Sequence, residues 1–225
     1  MKTVRTKAIV LRRTNYGEAD RVVQLLTPDQ GIVSVMAKGV RKEKSRLAGG
    51  IELFASCDVT IGSGKGELGI LTAARLEKFY SHIMTDYDRL QFGYDAIKQV
   101  AKAAGMMDEA AFYDLLEQTF ESLNDGSIDI NFTKSWFWLQ LAILMGVGLN
   151  LATDTNGMKL VEDASYNFSE SDSAFVFHEG GRFTSDHIKL LRILSAQPPR
   201  VASHVKGSGK LIGECLWVAE RSVAH

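Results

Sequence analysis

Only two cysteines, Cys57 and Cys215, occur in the 225 residues, and they stand far apart. No disulfide framework and no Cys-x-x-Cys pair can be built from them. Both sit among apolar neighbours, the setting of buried free thiols. Long apolar runs are also missing. The most apolar stretch, Trp136 to Leu149, is interrupted by Gln140 and falls short of the ~20 residues that cross a bilayer. The opening MKTVRTKAIVLRR has no apolar h-region and no small-residue cleavage site. These absences predict a soluble, cytosolic chain. None of the five histidines lies in His-Glu-x-x-His or at ligand spacing from a cysteine, so no metal site is expected. No Gly-x-Ser-x-Gly elbow is present. Repeats and low-complexity tracts are absent as well. With no catalytic constellation in view, the expectation is a protein that is not an enzyme and carries no cofactor.

Net charge is another absence, at −1 for the whole chain, but its distribution is uneven. Up to Arg46 there are eleven cations and four carboxylates, a local balance of +7 that leaves −8 for the remainder. A basic front on an acidic body points to a polyanionic partner for the front.

Residues 1–80 read as strands. Val4, Thr6, Ala8 and Val10 alternate with polar residues, and the runs 21–27 and 32–39 flank a Pro28–Gly31 turn. The runs 51–62 and 67–77 flank Ser-Gly-Lys-Gly in a second hairpin. Five short strands predict a small closed barrel, OB-type first and SH3-like second, because closure removes exposed edges. From Asp86 the period becomes helical. Tyr87, Leu90, Tyr94, Ile97 and Ala101 form one stripe, Ala111 to Leu123 a second, and Thr133 to Gly146 a helix apolar nearly all round. Residues 149–184 lose this periodicity and read as an irregular insert, with turn-rich NLATDTNG and YNFSESDS and a short hairpin in AFVFHEGGRF. Helix resumes at Ser185–Ala196, is broken by Pro198-Pro199, and returns from about Lys210 to Val223.

Two glycine motifs fail on physical grounds. Gly64-x-Gly66-x-x-Gly69 matches a dinucleotide fingerprint, but a strand follows where a helix N-terminus is required. Gly64-Lys65 and Gly209-Lys210 lack the first glycine and the hydroxyl of a phosphate-binding loop. What remains is Lys38-Gly39-Val40-Arg41-Lys42-Glu43-Lys44-Ser45-Arg46, a glycine-punctuated loop with five cations in nine residues. Lys and Arg there can neutralise phosphates and Ser45 can donate a hydrogen bond. Arg12 and Arg21 join Lys38, Arg41, Lys42, Lys44, Ser45 and Arg46 as candidate DNA contacts. Tyr16 and Phe54 are candidate stacking surfaces for bases, with core packing the stronger reading for Phe54.

Asn15-Tyr16-Gly17-Glu18-x-Asp20-Arg21, Leu26-Thr27-x-x-x-Gly31, Ala37-Lys38-Gly39-Val40-Arg41-Lys42-x-x-Ser45-Arg46 and Glu52-Leu53-Phe54 together resemble the N-terminal half of the RecO family. The resemblance implies an α+β protein: a five-stranded OB-fold barrel over 1–80, then a mostly helical domain over 81–225 with the insert at about 149–184. It implies a DNA repair and recombination mediator that binds single- and double-stranded DNA, anneals complementary strands and, with RecR, helps load RecA onto DNA covered by single-stranded-DNA-binding protein. A RecR-like partner and the acidic C-terminal tail of that binding protein are the implied protein ligands. Lys98, Lys102, Lys134, Lys189 and Arg192 are candidates for the rim of a tail pocket. A cytoplasmic, nucleoid-associated location follows, with no membrane partner. One departure stands out: many members carry a four-cysteine zinc site in the insert, and residues 150–184 contain no cysteine. A small core of Leu160, Tyr166, Phe168, Phe175, Phe177 and Phe183 is the alternative support for an ordered insert. Two other readings compete: a non-enzymatic adapter that binds only proteins, and a hydrolase built around His178 and His187.

Overall fold

The computed structural model describes residues 3–64, 66, 68–106 and 110–223. The chain divides into two compact units, Met1–Asn124 and Asp125–His225. In the first, β1 (Thr3–Tyr16), β2 (Asp20–Thr27), β3 (Gly31–Ala37), β4 (Ala55–Gly62) and β5 (Gly69–Phe79) close into a barrel of order β1-β2-β3-β5-β4. All neighbours are antiparallel except β3 and β5, which pair in parallel at Val35–Gly69 and Met36–Ile70. This is the OB topology, and it excludes the SH3-like alternative.

Closure depends on β1. At 14 residues it is long enough to pair with β4 through Thr3–Ile9 and with β2 through Ile9–Tyr16. A register shift between Val10 and Arg12 bends it between the two partners. Ala8, Val10, Val23, Leu25, Val35, Cys57, Val59 and Leu71 fill the barrel interior, the period-2 set that a half-buried sheet requires. Val40 and Ile51 from the β3–β4 connection cap the same core.

The barrel ends at Phe79, but the compact unit continues through α1 (Tyr87–Ala104) and α2 (Ala111–Asn124). Asp86 caps α1 by accepting from the Arg89 amide at 3.0 Å. The buried face of α1 is Phe92, Gly93, Ala96, Ile97, Val100 and Ala103. The expected stripe is therefore out of phase: Tyr87, Leu90 and Tyr94 lie off the buried face, and Tyr87 is largely exposed. For α2 the expected stripe and the buried face agree.

The second unit holds α3 (Ile130–Leu144), a four-stranded sheet of order β6-β8-β7-β9, and α4 (Ser185–Ala196), α5 (Pro199–Ser203) and α6 (Ser208–Arg221). The sheet is β6 (Asn150–Asp154), β7 (Ser165–Ser169), β8 (Ala174–Phe177) and β9 (Phe183–Thr184). The insert is thus regular rather than irregular, and its hairpin joins β7 to β8 instead of lying within 174–183. The alternation is hidden in the sequence because β7 carries serine and asparagine between its aromatic residues. Tyr166, Phe175 and Phe183 are buried, with Phe168 half-buried against Trp217 of α6. Phe177, expected in this core, is 53% exposed. Edge-to-face contacts at 5.6 Å link Phe175 to Phe168 and to Phe183, so aromatic packing holds the sheet without thiolates.

Candidate nucleic-acid interface

The candidate residues gather where β1 ends, β2 begins and β3 ends. Asn15 pairs with Arg21, and Arg21 with Ala37, so Arg21 stands between the β1–β2 turn and the root of the basic loop. Three contacts lace the two segments together. The Gly39 amide donates to Asp20 Oδ1 at 2.6 Å, the Arg41 amide to Ala19 O at 2.9 Å, and Arg41 Nη1 to Gly17 O at 3.1 Å. Gly39 has φ +65°, a conformation open to glycine at little cost. The motifs around Tyr16–Arg21 and Lys38–Arg46, distant in sequence, are one structural object.

The loop then turns twice more. Lys42 N donates to Gly39 O at 3.1 Å and Ser45 N to Lys42 O at 3.0 Å. Ser45 Oγ accepts from Leu47 N at 3.3 Å, which leaves its proton to donate outward. Buried Val40 and half-buried Leu47 anchor the loop on the core. Lys38, Arg41, Lys42, Lys44 and Arg46 are consequently exposed on a braced backbone.

Several cations elsewhere in the chain are paired with carboxylates. Arg5 and Arg75 meet Asp58, Lys78 meets Glu121, Arg182 meets Glu214, Lys189 meets Glu162, and Arg221 meets Glu170. Arg12, Arg21, Lys38, Arg41, Lys42, Lys44 and Arg46 have no carboxylate partner among the described residues. Arg21 Nε donates to the neutral Asn15 amide oxygen, at 3.1 Å. Their like charges remain uncompensated, which is the condition for neutralising an external polyanion. Arg13, adjacent in sequence, is instead tied to Glu52 at 2.9 Å.

The two aromatic candidates part company. Tyr16 is 59% exposed at the end of β1, beside the turn braced by Arg41. Phe54 is 2% exposed and cannot stack on a base. It packs edge-to-face on Tyr94 at 5.0 Å and on Phe120 at 5.5 Å, fixing α1 and α2 against the barrel. A groove of about 460 Å³ opens beside it, lined by Leu11, Arg12, Arg13, Asn15, Arg21, Leu53 and Tyr94.

In the second unit, α4 and the turn before α6 border a groove of about 370 Å³. Leu190, Ile193, Val205 and Leu211 form its apolar lining, and Lys189, Lys206 and Lys210 stand around it. Of the expected rim cations only Lys189 is there. Arg192 donates to Leu151 O at 2.7 Å, Lys98 and Lys102 belong to α1, and Lys134 belongs to α3. Lys206 and Lys210 escaped the sequence reading because they lie on a turn and a helix start without periodicity.

The two histidines of the hydrolase alternative lie in different settings. His187 is buried and closes a capping box with Thr184 at the start of α4, and its Nε2 lies 2.6 Å from Glu214. His178 is exposed at the end of β8. Both cysteines are buried, and burial pushes each thiol up to about 12. Among the described residues no group of three or more His, Cys, Asp or Glu side chains is placed to hold a metal, and no helix is long and apolar enough to cross a membrane.

Residues 1–80 match the family model described as Recombination protein O N terminal. A DNA repair protein RecO from Roseiflexus sp. is 30% identical over 216 residues, covering 91% of this chain and 74% of the relative. RecO of Rubrobacter xylanophilus is 31% identical over 65% of this chain, and that of Dehalococcoides mccartyi strain CBDB1 is 35% identical over 55%. The chain spans 58% and 49%, respectively, of the length of these last two.

Proposed function

Because the chain belongs to the RecO family of DNA repair proteins, we propose that it acts in DNA repair and recombination as a non-enzymatic mediator whose OB barrel binds the DNA backbone. The observation that carries this reading is the set of exposed cations without carboxylate partners, held on a braced loop at one end of the barrel. Such a surface binds phosphates with little regard for sequence, and so accepts both single and double strands. Binding two complementary strands at once, in copies or in turn, lowers their mutual repulsion and promotes annealing. Tyr16, exposed beside the loop, adds a stacking surface for bases.

The family relationship carries the finer proposal that the protein cooperates with a RecR-like partner to load RecA onto DNA covered by single-stranded-DNA-binding protein. The α4–α6 groove suits that protein's acidic, hydrophobic-ended tail: its apolar lining takes the end of the tail, and Lys206 and Lys210 meet the carboxylates, Lys189 being paired with Glu162. The primary test is annealing of complementary oligonucleotides with and without the protein. Acceleration that is lost when Lys38, Lys42 and Lys44 are neutralised supports the reading, and no acceleration overturns it. For the tail, a labelled peptide titrated into the full chain and into Lys206→Glu/Lys210→Glu should bind the parent at least tenfold more tightly. Equal binding removes the groove assignment.

A further inference from the structure

Within the first unit the groove beside Phe54 has a composition that backbone contacts alone do not explain. Its floor includes Leu11 and Leu53, and its volume of about 460 Å³ lies within the ~300–1,000 Å³ range of pockets that enclose small organic ligands. Arg12 and Arg21 line it without a carboxylate partner among the described residues, and Asn15 holds the Arg21 guanidinium at 3.1 Å. Arg13 is neutralised by Glu52, so the positive charge is concentrated on the other two. Tyr94 completes the lining from α1. It lies off the buried face of its helix and is 47% exposed. Its ring is nevertheless fixed, edge-to-face on Phe54 at 5.0 Å, and Phe54 is itself locked on Phe120.

We propose that this groove receives an unpaired nucleobase of single-stranded DNA, stacked on Tyr94, with the adjoining phosphates held by Arg12 and Arg21. The inference rests on the DNA-binding reading above and adds to it the residue that tells single strands from duplex. A half-exposed aromatic held rigid by a buried partner offers stacking at little entropic cost. Cations within the same groove neutralise the backbone that carries the base. A duplex keeps its base faces covered and cannot use the ring, so Tyr94 favours single strands while the Lys38–Arg46 loop serves both forms.

The test uses the full chain, an oligo-dT strand, a strand of abasic sites of equal length, and a duplex. Tyr94→Ala should weaken oligo-dT binding about fivefold to a hundredfold and leave abasic and duplex binding unchanged. Tyr94→Phe should bind like the parent. Tyr94→Leu keeps apolar packing on Phe54 and should show the same oligo-dT loss while melting like the parent, even if alanine disturbs the fold. A 2-aminopurine placed in the dT strand should be quenched by the parent and not by Tyr94→Leu. A parent that binds no DNA overturns the DNA-binding reading itself. A parent that binds DNA overturns only the stacking assignment if Tyr94→Leu keeps parental oligo-dT affinity, loses dT and duplex binding equally, or still quenches the probe.

Discussion

Neutralising Lys38, Lys42 and Lys44 together, by change to Gln, isolates the phosphate contacts from the architecture that presents them. All three side chains are exposed and lack carboxylate partners among the described residues. Arg41 is left in place because its guanidinium braces Gly17 O, so its removal would loosen the β1–β2 turn as well as delete a charge. For single strands each neutralised phosphate contributes about −0.7 to the slope of log K against log salt. If five contacts operate, the parent slope is about −3.5 and the variant slope about −1.4. Near 0.15 M salt, three lost contacts amount to about a 50-fold loss of affinity. The fold should barely respond, since exposed substitutions of this kind usually change stability by less than about 0.5 kcal/mol each. Fluorescence anisotropy with labelled oligo-dT across a salt series, beside thermal melts, reads both quantities. A variant that melts like the parent and keeps its slope would refute the assignment of these lysines to the phosphate backbone.

Phe54→Ala removes the ring that joins α1 and α2 to the barrel and should lower stability by about 3–5 kcal/mol in denaturant titration; a loss under 1 kcal/mol would contradict the packing described. Gly93→Ala places a methyl 2.8 Å from the Phe54 ring and should cost about 1–3 kcal/mol, read as a lower melting temperature. The Arg182 hydrogen bond, with His187 in support, holds the Glu214 carboxyl below the ordinary glutamate value. A depressed folded value means stabilisation that is present above the unfolded pKa of about 4.3 and lost as pH falls through the folded one. Glu214→Gln should therefore show a flatter melting temperature below about pH 4.5 than the parent, and parallel acid limbs would count against it. Elemental analysis should find no near-equimolar zinc, since residues 150–184 contain no cysteine and no group of three or more His, Cys, Asp or Glu among the described residues is placed to hold a metal; stoichiometric zinc would overturn this.

The barrel was legible because its signals are local. Alternating β-branched residues and the turn chemistry of Pro28–Gly31 and of the Ser-Gly-Lys-Gly at 63–66 mark strands and hairpins without reference to distant partners. The basic loop was legible as charge, but its coupling to Tyr16–Arg21 through Asp20 and Arg41 is tertiary and left no periodic mark. Tyr94 was missed for a definite reason. It fits an i, i+3, i+4 series with Leu90 and Ile97, while the true buried face runs through Gly93 and Ala96, which carry little hydrophobic weight. Small residues at a close contact are invisible to a hydrophobicity count, though Gly93 inside a helix was itself a cue to a close neighbour. The insert was obscured because β7 alternates tyrosine and phenylalanine with serine and asparagine, a pattern that reads as turn unless its partner strand is known.

On the reading proposed above, the cations at the barrel end bind nucleic acid through its phosphates. Anisotropy titrations of the full chain with two unrelated single-stranded sequences, each at 50 and 200 mM salt, test it most directly. Three to five contacts predict a slope of about −2 to −3.5 in log K against log salt and affinities for the two sequences within a few-fold of each other. Absence of binding, an affinity that does not change with salt, or a strong preference for one sequence would contradict it.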